Sequence, residues 1–342
     1  MKPLQPFAGL FFVLLSCTTS AYEVELYIWE EYLAPEVLEA FTEETGHTVK
    51  QTYFDDEGQR DAVIASGRGQ SFDLIMMESI GLQILSEQGL LADLSGITKA
   101  FDQQYDPSYL SACTDYGTPY STGTTGLLYR RSVAKTPIDS WQQLFNVTPE
   151  HRGRVAMYMD NLDAPGTALL ALNLDPFSED PADLKQAFAL LKAQQPHLLT
   201  DEYGFSHALR KKENNQISLM LGFSDDLESI SEATGQQDWA YIIPKEGSLL
   251  WVECLTAPEG KAVHPATQAL LNFLARPEIA AQNAESIWFV TPNRAAQKLA
   301  SEEYQTDDSL FPPQHVQDRS VVYKRLSPEA LSLRARMLNA LD

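Results

Sequence analysis

L-Y-I-W-E-E-Y, residues 26–32, is the first patterned segment after the N-terminal leader, and the chain is read outward from it. Val24, Leu26 and Ile28 fall on one alternation and Glu25, Tyr27 and Trp29 on the other, which predicts a β-strand. The strand turns toward a helix, so Trp29, Glu30, Glu31 and Tyr32 stand at its carboxyl end. In an open α/β sheet, ligands collect just beyond such ends. Two aromatics around two carboxylates suit an organic cation, because the acid meets the charge and the ring face meets the methylenes and the cation's field. The same residues would also serve as rim aromatics and helix-capping acids, and this segment alone leaves both readings open.

The next hundred residues repeat one pattern. Pro35 to Thr45 reads as a helix with Val37, Leu38 and Phe41 on one stripe and Gly46 at its stop. His47 to Phe54 alternates as a strand, Gly58 to Ser66 reads as a helix, and Phe72 to Met77 as a buried strand. Glu78-Ser79 follow, then a helix from Ile80 to Gln88 that Gly89 stops. Strand and helix in this alternation imply a parallel sheet with crossover helices. Glu30 and Glu78 then both lie at strand carboxyl ends of that sheet. Cys113 to Tyr129 is turn-rich and then β-like, with Gly117, Gly123 and Gly126, and is read as carrying the chain between lobes.

A second α/β run begins at Ser140. Val155 to Met159 is a strand ending in Asp160-Asn161-Leu162-Asp163, and Gly166 to Asn173 and Pro181 to Gln195 are helices. Ile217 to Phe223 is a strand ending in Ser224-Asp225-Asp226, and Trp239 to Ile243 is another. In Leu249 to Leu255, alternation sets Trp251 and Glu253 on one face. Helices over Pro265–Ala275 and Pro277–Ser286, the pair Trp288-Phe289 and a closing helix from Pro328 complete the chain.

At 342 residues, with 44% hydrophobic and 21% charged residues, the chain is globular and long enough for two domains. A net charge of −22 argues against nucleic acid and against anionic membranes as partners. Lys2, the apolar run Phe7–Leu15 and the small residues after it form a secretory signal, too short to span a membrane. Two processing sites are open: Leu14-Leu15-Ser16-Cys17 resembles a lipobox that would leave Cys17 lipidated, and Thr19-Ser20-Ala21 suits signal peptidase. Either points to a periplasm. Cys113 and Cys254 then remain, as a disulfide or as two buried thiols.

Most chemical motifs are missing. There is no G-x-G-x-x-G, no Walker loop and no H-E-x-x-H, and the six histidines lack ligand spacing, so neither a cofactor nor a metal is expected. Asp160 and Asp163 as the acid–base pair of a hydrolase form an alternative, with no other member of a catalytic constellation beside them. One theme does recur at strand ends and faces: Trp29 with Glu30, Glu78, Asp160 with Asp163, Asp225-Asp226, Trp251 with Glu253, and Trp288-Phe289. Converging on one cleft, they would receive a linear polycation.

The chain resembles the bacterial periplasmic polyamine-binding proteins, the spermidine/putrescine receptors of ABC importers, over essentially its whole mature length. The resemblance is densest at Tyr27–Pro35, Phe41–Gly46, Phe72–Ile75, Ile243–Gly247, Trp251–Glu253, Leu271–Pro277 and Thr291–Asn293. It implies an α/β, two-lobed periplasmic binding protein of the type II kind, with a ligand cleft between lobes joined by crossing hinge strands. Residues 1–21 would be the signal peptide, 22–128 and 253–297 one lobe, and 129–252 and 298–342 the other. By position, Trp29 and Trp251 resemble the aromatic walls, and Tyr32 and Phe289 further wall positions. Asp160 resembles the principal ammonium anchor, Asp163 its neighbour and Glu253 the second anchor. Glu30 and Glu78 depart from the family, which commonly has Thr or Ser and Ser there. Facing the cleft, they would favour a ligand with three or more ammoniums. Similar departures occur in a polyamine-sensing branch, typified by a norspermidine sensor, that engages a membrane-bound cyclic-di-GMP enzyme. The expectation is therefore a monomeric, non-enzymatic periplasmic receptor delivering a polyamine to an ABC permease, with the membrane sensor role as the alternative.

Overall fold

A computed structural model describes residues 20–341 apart from 31, 55–56, 101 and 212–215. The leader with Cys17, and Glu31, lie outside the described residues. Strands β1 (Glu23–Trp29), β2 (Thr48–Phe54) and β3 (Leu74–Glu78) pair in parallel in the order β2-β1-β3. The helices Pro35–Thr45, Glu57–Ala65 and Ser79–Glu87 alternate with them, as the hydrophobic pattern predicts. Pro35 opens the first helix and Gly46, at φ 71°, closes it, so both ends are written in the sequence.

β4 (Gly117–Arg130) and β9 (Leu249–Thr256) join the two halves. β9 runs antiparallel to β3 and also pairs antiparallel with Gly117–Thr124 of β4. From Thr125 onward β4 pairs with β7 (Leu219–Phe223), and β5 (Val155–Ala156) and β6 (Leu198–Thr200) extend that second sheet in parallel. β8 (Trp239–Ile242) pairs with the other edge of β4, and β10 (Val321–Val322) with β9. The two halves are thus continuous through two crossing strands.

Each half has its own core. Val24, Ile28, Phe41, Leu74, Met77, Leu82, Val252 and Leu270 belong to the first, and Trp141, Leu144, Leu169, Leu191, Leu219 and Leu249 to the second. A smaller cluster, from Ala281 to Leu310, shares Tyr120 and Ile287 with the first core. Cys113 and Cys254 are bonded, with Cα atoms 5.8 Å apart, fastening the helix Pro107–Cys113 to β9 inside the first core.

Three details differ from the sequence reading. The segment read as turn-rich and then β-like is a single 14-residue strand from Gly117 onward. Its glycines serve close approach: a Cβ at Gly123 would lie 2.0 Å from Trp251 Cζ2, and one at Gly126 2.5 Å from the Tyr241 ring. The helix expected from Gly166 begins at Asp163, because Asp160 accepts from the Leu162 and Asp163 N–H groups and starts it early. β6 and the helices Gly204–Arg210 and Asp226–Thr234 are additional elements.

Candidate functional site

Three side chains, Trp29 from β1, Glu78 from β3 and Glu253 from β9, meet at the carboxyl end of the first sheet. Glu78 and Glu253 are direct cross-strand partners. Like carboxylates opposite one another are destabilising unless something compensates them. The Trp29 indole Nε1 donates to Glu253 Oε1 at 3.1 Å, and the ring packs on Phe54 at 4.3 Å between centroids. Glu78 caps the helix Ser79–Glu87, accepting from the Ile80 N–H at 2.8 Å and the Ser79 hydroxyl at 2.6 Å. Burial pushes Glu78 up to about 7 and Glu253 up to about 8, with Glu57 and Glu78 adding to the second shift. Glu253 is 6% exposed, and its Oε2 has no hydrogen-bond partner among the described residues.

Asp160 and Asp163 form the corresponding acidic group on the second lobe. Asp160 Oδ1 takes two backbone N–H groups, at 2.6 and 2.8 Å. Its Oδ2 is buried and without a partner among the described residues. Asp163 Oδ1 accepts from Tyr323 at 2.6 Å and Thr125 at 2.9 Å. Burial holds Asp163 well above its ordinary range, and the fields of Asp160 and, across the lobes, Glu78 push the same way.

Aromatic side chains lie between the acids. Trp251 is buried where β9 crosses Gly123, and its Nε1 also lacks a partner among the described residues. Tyr32 stacks on Phe289 at 6.2 Å and donates to Asp225 Oδ2 at 2.8 Å, which joins the lobes. Tyr120 donates to the Tyr32 carbonyl at 2.5 Å and fixes that loop. Behind Asp225, Asp226 accepts from Tyr203, whose ring packs on Tyr158 and Phe223.

Of the nine candidate residues, Trp29, Glu78 and Glu253 are brought together, as are Asp160 with Asp163 and Tyr32 with Phe289. Glu30 joins none of these groups: it is exposed at the turn after β1, with no hydrogen bond among the described residues. Asp225 and Tyr203 were not among the candidates. Asp225 had a signal, the strand-end run Ser224-Asp225-Asp226, whereas Tyr203 had none, because only the fold brings its hydroxyl to Asp226. A cavity of about 1070 Å³ opens elsewhere, between the helix Pro107–Cys113, the crossing strands and residues 311–325. Arg294, Lys324 and Arg325 line it together with Glu87, Asp106 and Asp318, and none of the nine candidates does.

Residues 36–312 match the family model for bacterial extracellular solute-binding proteins. The norspermidine sensor of Vibrio cholerae is 32% identical over 324 residues, 94% of this chain and 89% of that protein. The spermidine/putrescine-binding periplasmic protein of Escherichia coli is 26% identical, over 84% of this chain and 82% of that one. The spermidine/putrescine ABC transporter substrate-binding protein of Streptococcus pneumoniae, at 23% identity, shares the fold with a TM-score of 0.82 over 94% of this chain and 98% of the other.

Proposed function

The chain belongs to the bacterial extracellular solute-binding proteins, and from that premise we propose that it captures a linear polyamine between its lobes, with a spermidine-like triamine favoured. The observation that carries this is the pair of buried acceptors, Asp160 Oδ2 and Glu253 Oε2, on opposite lobes and without donors among the described residues. A buried acceptor of this kind is costly unless a donor reaches it, and an ammonium supplies both donor and charge. Asp160 and Glu253 are the anchors in this reading, and Trp29 and Trp251 the walls against which the methylenes lie. Asp163, Tyr32 and Phe289 complete the enclosure. Glu78 adds negative potential beside Glu253, and Glu30 acts on approach from the mouth. No chemical step is assigned to the protein. It acts in the periplasm after removal of residues 1–21, or after lipidation at Cys17, and as a monomer. In this reading the lobes divide near 128/129, within β4, near 252/253, within β9, and near 297/298.

Delivery to an ABC permease is the favoured role, in keeping with the family resemblance read in the sequence. The 32% identity to a norspermidine sensor supports a second reading, in which the loaded protein signals through a membrane-bound cyclic-di-GMP enzyme. A thermal-shift panel of putrescine, norspermidine, spermidine and spermine tests ligand capture. The triamines should give larger shifts than putrescine, and no shift with any polyamine would overturn the reading. Co-purification from membranes separates the two roles by which partner is retained, a permease or a signalling enzyme.

A further inference from the structure

Arg60 takes part in none of the contacts described so far, yet it is among the most buried large side chains of the protein, at 1% exposed. It lies in the helix Glu57–Ala65, with its guanidinium carbon 5.2 Å from the centre of the Phe54 ring, the ring that backs Trp29. Its other face meets the first turn of the helix that Glu78 caps, where a Cβ on Gly81 would stand 3.3 Å from Nη2. Nε and Nη2 are each 3.0 Å from Asp61 Oδ1. Nη1 is 3.5 Å from Glu57 Oε1 and has no hydrogen bond among the described residues.

Burying a guanidinium is costly, because it cannot shed its charge. The side chains that pair with it, Glu57 and Asp61, are 50% and 38% exposed, so solvent screens part of what these pairs return. The acids of the cleft add to that compensation, since Arg60 draws down both Glu78 and Glu253 by its field. Behind the Phe54 ring that backs Trp29, the protein therefore keeps one permanent positive charge beside the first-lobe end of the cleft.

We propose that Arg60 is a specificity-determining residue, a resident cation that limits how many ammonium groups the first-lobe end of the cleft accepts. One terminal ammonium is held by Glu253 beside Trp29. A ligand carrying a further charge past that point enters the field of the guanidinium, and like charges in a partly desolvated site repel strongly. This inference rests on the polyamine reading and deepens it. It accounts for how an acidic site can prefer a triamine and still disfavour a tetraamine.

The test compares spermidine, spermine and N1-acetylspermine by calorimetry on the full-length mature protein, as wild type, Arg60→Met and Arg60→Lys. Arg60→Met should raise the affinity for spermine relative to spermidine by about tenfold or more, whereas Arg60→Lys, which keeps the charge, should leave the ratio near the wild-type value. In wild type, N1-acetylspermine should bind at least as tightly as spermine, since acetylation removes a terminal charge and retains the length. That arm needs no variant, so a folding defect in Arg60→Met does not remove the test. An unchanged ratio in a folded Arg60→Met, or clearly tighter wild-type binding of spermine than of its acetylated form, overturns the role of Arg60 and leaves the polyamine reading intact. Wild type that binds none of the three overturns both.

Discussion

Glu253 is ionised only reluctantly in the folded protein, and that reluctance links binding to pH. Unfolded, Glu78 and Glu253 titrate near the ordinary 4.5; folded, burial raises them to about 7 and about 8. Between these limits the folded chain holds more protons than the unfolded one, so the stability these groups contribute falls as pH rises through that window. An ammonium favours the ionised form, so ligand binding should expel protons. The unliganded melting temperature should therefore drop between about pH 5.5 and pH 8 and the ligand-induced rise should grow, while Glu253→Gln flattens both trends. Binding enthalpies that do not vary with the ionisation heat of the buffer would count against this linkage. The anchors make a separate prediction. Asp160→Asn or Glu253→Gln should each weaken polyamine binding by roughly 2 kcal/mol or more, about 30-fold, because each leaves a buried ammonium short of its counter-charge. Glu302→Ala, an exposed acid in a short C-terminal helix, should bind as wild type. Calorimetry on the three variants ranks them directly.

The elements that hold these residues depend on contacts of different range, which is why they differ in how legible they were. The helix Pro35–Thr45 is bounded by its own Pro and Gly, and β3 is an unbroken apolar run, so both are local statements of the sequence. The crossing strand β4 is less so: Gly123 and Gly126 read as either flexible or closely packed, and only Trp251 and Tyr241 lying across them decide for close packing. Glu78 was legible as a strand-end acid, but its capping of the next helix depends on backbone direction. Pairing of Cys113 with Cys254 likewise needed the fold, with 141 residues between them. Asp225 and Arg60 owe their positions to side chains from other elements, which no spacing along the chain records. Two tests belong at this scale. Gly123→Ala sets a methyl against Trp251 and Ser224, so the indole must move; binding should weaken by about tenfold or more with a change in tryptophan emission. Wild-type emission and affinity would show that Trp251 has room to spare. Replacing both cysteines by Ser should lower stability by roughly 2–5 kcal/mol, read as a fall in the urea midpoint with a steeper slope, because the unfolded chain loses its cross-link and exposes more surface.

Lobe closure is where the molecule acts as a whole, and two contacts between the lobes differ in what they contribute. Tyr32, on the loop after β1, bonds Asp225 beyond β7 at 2.8 Å. Glu87, at the end of a first-lobe helix, pairs with Arg325 beside the second core. The pair is 62% and 35% exposed, and an exposed ion pair is worth roughly 0–1 kcal/mol. The tyrosine bond is set among aromatic rings, with Phe289 stacked on it and Tyr120 holding its backbone. Partial burial and the fields of Asp225 and Glu253 keep the Tyr32 hydroxyl protonated and therefore a donor, to a carboxylate that is itself exposed. A contact made only when the lobes meet adds to affinity by favouring the closed state, and it slows ligand escape more than it changes capture. Tyr32→Phe should thus weaken binding by about 3- to 10-fold, chiefly through a faster off-rate, and Arg325→Ala by less than about twofold. Small-angle scattering separates closure from simple contact loss: wild type should compact on saturation with a triamine, and unliganded Tyr32→Phe should be more open than unliganded wild type yet reach the same compact form with ligand. If Tyr32→Phe leaves both the off-rate and the unliganded radius of gyration unchanged, the Tyr32–Asp225 bond does not govern closure, and the anchors at Asp160 and Glu253 must draw the lobes together unaided.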